Sequence, residues 1–243
     1  MRGPIWTGQC IREVTGSGRG RPDHYAEPVN FAPPSTVLFD LDGTLADTVP
    51  LIVATFKRTV SELLGWEPTF DQCKEWIGRS LNETFTRLAP GRADELTAHY
   101  LEWNLAQHHA YVRPFDGVAE LIDALHAAER PFGVVTSKRH DSALLSLECV
   151  GLTGRVPLLA TEEDTTAHKP SPEPLLHALR RVGADPADAV YVGDAVVDMQ
   201  AAQAAGMRSI GVTWGAASVE ELTGIEPTAV VHDVAELRKL LAL

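Results

Sequence analysis

The sequence reads as an α/β chain: a parallel sheet covered by helices on both faces, interrupted by an all-helical insertion. Three observations predict this. Short apolar runs alternate with amphipathic stretches through the second half, as they do when strands pair in parallel through crossover helices. Residues 49–113 carry helix periodicity and no strand pattern. The first strand-like run, Thr36-Val37-Leu38-Phe39, ends in Asp40, at the carboxyl end of a strand where open α/β sheets place their ligands.

In chain order, residues 1–34 come first. They are rich in Gly, Pro and Arg and show no period of two or 3.6. Such a segment cannot bury enough surface to offset its ordering entropy, so it is expected to be disordered or loosely attached. It lacks the continuous apolar core of a secretory signal. The strand at 36–39 follows. Leu51, Ile52, Phe56, Val60, Leu63 and Leu64 then recur at helix spacing, with Gly65 as a stop. Further helices are expected at 70–77, 81–88 and 93–110, with Trp66, Trp76 and Trp103 as packing residues. Beyond Pro114 the expected order is helix 118–128, strand 132–136, helix 142–149, strand 156–160, helix 174–182 and strand 189–192. Helix 199–205, strand 209–212, strand 229–231 and helix 234–241 complete it. The domain reading is therefore an α/β core from 35–48 and 114–243, with a helical domain inserted at 49–113.

Composition narrows the function. The net charge of −12 argues against sequence-independent nucleic-acid binding and requires local positive charge to hold any anionic substrate. The three cysteines, Cys10, Cys73 and Cys149, are far apart and form no metal or redox motif. No apolar run reaches the length of a membrane span. The expectation is a cytoplasmic enzyme, monomer or homodimer, with a small-molecule substrate and neither nucleic acid nor membrane as partner.

Four clusters fall at strand ends. Side chains two apart in an extended chain point the same way, so Asp40 and Asp42 would share a pocket, with Gly43 allowing the turn away from it. Crowded carboxylates repel, and such a pair persists with a divalent cation, Mg²⁺ above all, or with a proton held for chemistry. A solvated Asp-Gly turn is the simpler alternative. Thr136-Ser137, after strand 132–136, offers hydroxyls and backbone N–H groups to a phosphoryl oxygen, or caps a helix. Lys169, beside Pro170, would neutralise the carboxylates if buried, or lie exposed in a loop. Asp194 could complete the Mg²⁺ shell or cap a helix; Asp198, one turn on, could support it.

Together and in this order, Asp40-Leu41-Asp42-Gly43-Thr44-Leu45, Thr136, Lys169-Pro170 and Gly193-Asp194 through Asp198 resemble the haloacid dehalogenase superfamily of hydrolases. The resemblance covers the chain from about residue 36 to its end. It implies a Rossmann-like core and a mobile helical cap after the first motif. It further implies that Asp40 is the nucleophile and forms an aspartyl-phosphate, and that Asp42 is the general acid and base and lends its backbone carbonyl to the metal. Thr136 would bind the phosphoryl group, Lys169 orient and neutralise, and Asp194 bind Mg²⁺. Dehalogenases of this plan lack the second acid, because a halide leaving group needs no proton; Asp42 therefore favours phosphoryl chemistry.

The stretch Ile77-Gly78-Arg79-Ser80-Leu81 looks like the cap loop of phosphoglycolate phosphatases and related pyrophosphatases, where Arg79 would meet a second anionic group on the substrate. The implied activity is a Mg²⁺-dependent phosphatase acting on phosphoglycolate or pyrophosphate. A phosphosugar mutase of the same fold and a catalytically silent binding protein are the alternatives. Neighbouring His108 and His109 point about 100° apart on a helix and do not make a metal pair. His140 and His168 lie close enough in sequence to two motifs to reach the pocket.

Overall fold

The computed structural model describes residues 33–243. The expected loose segment 1–34 and Cys10 lie outside the described residues, Pro33 and Pro34 apart.

Six strands form one parallel sheet. They are β1 (Thr36–Phe39), β4 (Phe132–Val135), β5 (Leu158–Ala160), β6 (Ala189–Gly193), β7 (Arg208–Val212) and β8 (Ala229–Val231), in the order β5-β4-β1-β6-β7-β8. β1 is central, with Val37 opposite Phe132 on one side and Val190 on the other. A strand buried on both faces has no reason to alternate, which is why Val37, Leu38 and Phe39 are all apolar and fully buried. Two-residue strands β2 (Ala46–Asp47) and β3 (Arg113–Pro114) pair antiparallel and tie together the two ends of the helical insertion. The sequence pattern missed them, since two residues carry no period.

Sheet side chains divide between two apolar clusters. Val37, Phe39, Val190 and Val192 pack with α5 (Val118–Ala127), α6 (His140–Cys149) and α10 (Val234–Leu240). Leu38, Val135 and Tyr191 pack with α7 (Glu173–Val182) and α8 (Val196–Ala204). Each fully buried aliphatic side chain of this kind contributes roughly 1.5–3 kcal/mol of transfer free energy. Between β7 and β8 lies a helix of five residues, α9 (Val219–Thr223), also too short to be read from periodicity.

Residues 49–111 form four helices: α1 (Val49–Leu64), α2 (Phe70–Glu75), α3 (Leu81–Leu88) and α4 (Ala93–Tyr111). Thr69 and Ser80 cap α2 and α3 by accepting from the Gln72 and Glu83 amides. The chain leaves α1 at Gly65, in a left-handed conformation. The helices close on a third cluster of Ile52, Phe56, Cys73, Phe85, Leu96 and Tyr100. Phe56 is its centre, with ring centroids of Tyr100, Trp76 and Phe85 at 4.9, 5.1 and 5.7 Å. Trp103 packs edge-on to Tyr111. Trp66, expected to pack, is instead 40% exposed beyond the end of α1. A fully buried His108 joins α4 to α6, one ring nitrogen 2.8 Å from the Asn104 carbonyl and the other 3.2 Å from Ser146 Oγ.

Candidate active site

Asp40 follows β1 directly, and its amide donates to the Val192 carbonyl of β6 at 2.8 Å. This bond brings the ends of the two central strands together. Asp194 follows β6, and Asp198 lies in the first turn of α8, where it accepts from the Ala195 amide at 3.0 Å. Asp40, Asp194 and Asp198 are all buried, and one carboxylate oxygen from each lies within 4.8 Å of the others. Residues 154 positions apart in sequence thus share one pocket because neighbouring parallel strands end on the same edge of the sheet.

Lys169 reaches this cluster from the loop before α7 and is 1% exposed. Its ammonium donates to Asp198 Oδ1 at 2.6 Å and to the Tyr191 hydroxyl at 3.0 Å, and it stands 3.0 Å from Asp40 Oδ1. The third contact is an ion pair without hydrogen-bond direction, so Asp40 Oδ1 has no hydrogen-bond partner. The Tyr191 hydroxyl donates in turn to the Val135 carbonyl at 2.7 Å.

Three buried carboxylates face one ammonium, an uncompensated arrangement. Burial pushes Asp40 up to about 7 despite the pull of Lys169, with the charges of Asp198 and Asp42 adding to the rise. Burial likewise raises Asp194 well above the usual carboxylate range, followed by repulsion from Asp198 and Asp40. Burial works against charge on Lys169, but Asp198 and Asp40 outweigh it and hold the ammonium well above its ordinary pKa. An unpartnered Asp40 oxygen, all-oxygen donors and excess negative charge fit a hard divalent cation such as Mg²⁺.

Asp194 is held tightly. Its Oδ1 accepts from the Thr44 hydroxyl at 2.9 Å and its Oδ2 from the Ala216 amide at 2.7 Å. Gly43, at φ +78°, leaves room for it: a Cβ there would lie 2.1 Å from Asp194 Oδ2. The glycine after Asp42 thus serves both the turn and the close approach of Asp194.

Asp42 does not point at the three-carboxylate cluster. It pairs with Lys138 at 2.8 Å, both side chains largely buried. Burial would raise its pKa, but the charge and hydrogen bond of Lys138 prevail and hold it below the ordinary value. Lys138 is the residue that sequence reasoning passed over. It stands next to Thr136 and Ser137, and a lysine beside two hydroxyls at a strand end was the available signal. Tyr191 was missed as well; its signal is a phenol inside an otherwise aliphatic strand.

Thr136 is buried, and its Oγ1 accepts from the Lys138 amide at 3.1 Å. Its own N–H belongs to the sheet, donated to the Ala160 carbonyl, so neither of these two amides is free for an anion as expected. The Ser137 hydroxyl donates to the Gly78 carbonyl at 2.8 Å, linking the sheet edge to the loop between α2 and α3. Arg79 pairs with Glu83 at 3.0 Å. A cavity of about 60 Å³ is lined by Asp40, Asp42, Thr136, Ser137, Lys138 and Arg79, among others. Trp76, Ile77 and Arg79 also border a wider cleft of about 780 Å³. His140 and His168 line neither, and His109 contacts Cys149 at the end of α6.

Among the described residues, no helix is long and apolar enough to cross a membrane. A family model described as haloacid dehalogenase-like hydrolase matches residues 37–212. The Pyrophosphatase PpaX of Bacillus pumilus is 34% identical over 203 residues, covering 84% of this chain and 94% of the relative. The phosphoglycolate phosphatase of Xylella fastidiosa is 39% identical over 199 residues, covering 80% and 87%. A hydrolase from Pseudomonas syringae superposes with a TM-score of 0.79 at 25% identity, over 85% of this chain and 97% of the other. CbbY from Rhodobacter sphaeroides, solved in complex with phosphate, gives 0.74 at 25% identity, over 86% and 100%.

Proposed function

Since this chain belongs to the haloacid dehalogenase-like hydrolases, we propose that it is a Mg²⁺-dependent phosphatase of small phosphorylated metabolites, phosphoglycolate or pyrophosphate, working through an aspartyl-phosphate on Asp40. The observation that carries the reading is the gathering of Asp40, Asp194 and Asp198 around one point, with Lys169 as their sole buried ammonium partner in the ion pairs described.

Asp40, Asp194 and the backbone carbonyl of Asp42 would hold the metal. Mg²⁺ there supplies positive charge that offsets repulsion between an anionic nucleophile and an anionic phosphoryl group. A carboxylate oxygen of Asp40 attacks phosphorus as the bond to the leaving oxygen breaks. Asp42 gives that oxygen its proton, then takes one from the water that attacks the aspartyl-phosphate, releasing phosphate and restoring Asp40. Lys138 keeps Asp42 ionised in the present arrangement, so for the acid step the Lys138 ammonium turns to the incoming phosphoryl oxygens and Asp42 takes up a proton from water, the one it later recovers from the water that attacks the aspartyl-phosphate.

Thr136 binds the phosphoryl group, and Ser137 joins it on leaving Gly78. Asp198 holds Lys169 in place. In this reading residues 49–113 are a cap over the core of 35–48 and 114–243, and Arg79 offers its guanidinium to a second anionic group. The pocket of about 60 Å³ favours a short substrate.

The test is phosphate release from phosphoglycolate, pyrophosphate and sugar phosphates with Mg²⁺. The expected result is turnover of one of the first two, lowered at least ~10³-fold by Asp40→Asn, in the range lost when a covalent nucleophile is removed. Wild-type release by Asp40→Asn would overturn the assignment. A sugar phosphate isomerised without free phosphate would indicate a mutase.

A further inference from the structure

The five residues after β7 lie against Asp194. The Ala216 amide donates to Asp194 Oδ2 at 2.7 Å, and the Ala217 amide to the Asp194 main-chain carbonyl at 3.0 Å. A Cβ on Gly215 would lie 2.2 Å from Asp194 Oδ2, so this backbone lies against the carboxylate. The Trp214 indole N–H crosses to the other side, donating to the Thr44 carbonyl at 3.1 Å. Thr44 in turn donates its hydroxyl to Asp194 Oδ1 at 2.9 Å. Phe115 packs edge-on to the Trp214 ring, centroids 6.4 Å apart, and holds the indole in that direction.

We propose that residues 213–217 are the positioning element of the cation site, with Trp214 acting through Thr44 on one oxygen of Asp194 while Ala216 fixes the other. The inference rests on the reading of Asp194 as a metal ligand. Trp214 lines neither cavity and gives its N–H to the Thr44 carbonyl, restraining the loop that carries Asp40, Asp42 and Thr44. A carboxylate whose orientation is fixed before the metal arrives loses less freedom on binding, and removal of such supporting contacts typically costs ten- to a hundredfold in metal affinity. Trp214, one bond further away, is expected to cost somewhat less than that range, about three- to tenfold.

The experiment is Mn²⁺ binding followed by the electron paramagnetic resonance of the free ion, on full-length protein and without substrate. Thr44→Val and Trp214→Phe should weaken Mn²⁺ binding about tenfold and about three- to tenfold. Thr44→Ser, which keeps the hydroxyl, should stay within about twofold of wild type. The Mg²⁺ concentration for half-maximal phosphate release should rise by the same factor in each variant, with the substrate KM unmoved. Wild-type Mn²⁺ affinity in Trp214→Phe overturns the inference and leaves the phosphatase reading intact. Weakened binding accompanied by a lower Tm in EDTA overturns it too, by making Trp214 a residue of folding. A wild-type protein that binds no Mn²⁺ sinks the metal reading itself.

Discussion

Lys169 donates hydrogen bonds to Asp198 and Tyr191 and forms an ion pair with Asp40. Removing it leaves buried carboxylates facing each other. Breaking such a pair from one side costs about 3–5 kcal/mol, because the surviving charge stays buried. Lys169→Met is therefore expected to lose stability on that scale in urea unfolding at pH 8 with EDTA. A loss below about 1 kcal/mol, the worth of an exposed pair, would mean that the lysine does not compensate the cluster. The residue types were legible in the sequence, since acids and a lysine at strand ends stand out against apolar runs. Their partners were not. Nothing in Thr136-Ser137-Lys138 says that the lysine crosses to Asp42, because that contact arises from two strands lying side by side.

At the scale of elements, the long periodic segments were readable and the short ones were not. α1 repeats its apolar spacing over sixteen residues and α4 runs nineteen residues without a Gly or Pro, whereas β2, β3 and α9 are two to five residues long and set by what they pack against. Start points also moved: α8 begins at Val196, three residues before the apolar run suggests, because Asp198 accepts the Ala195 amide and caps the turn. The four inserted helices depend on one aromatic cluster. Phe56 is 2% exposed among three other rings, so Phe56→Ala should cost about 3–5 kcal/mol. Trp66, at 40% exposure, should cost under about 0.5 kcal/mol when truncated. Urea midpoints of the two variants check the contrast, and equal losses would contradict the packing described.

For the whole molecule, the buried imidazole of His108 links helix α4 to helix α6 and makes stability depend on pH. Burial, aided by the Lys138 charge, pushes it down to about 4. The unfolded side chain titrates near 6.5, so between those values the unfolded chain binds the extra proton. Stability is therefore fully present above pH 6.5 and falls as the pH drops toward 4, by up to about 3 kcal/mol. Between pH 7 and pH 5 the wild type should lose about 2 kcal/mol more than His108→Gln; equal losses would place the ring in water. The central claim is that the sheet's converging edge makes Asp40 a nucleophile. The most direct measurement is to quench the enzyme during turnover with Mg²⁺, reduce with borohydride and sequence the peptides by mass spectrometry. An acyl phosphate is reduced to an alcohol, so the account predicts that conversion at residue 40. Phosphate release with residue 40 unaltered, or with the alcohol at another acid, would contradict it.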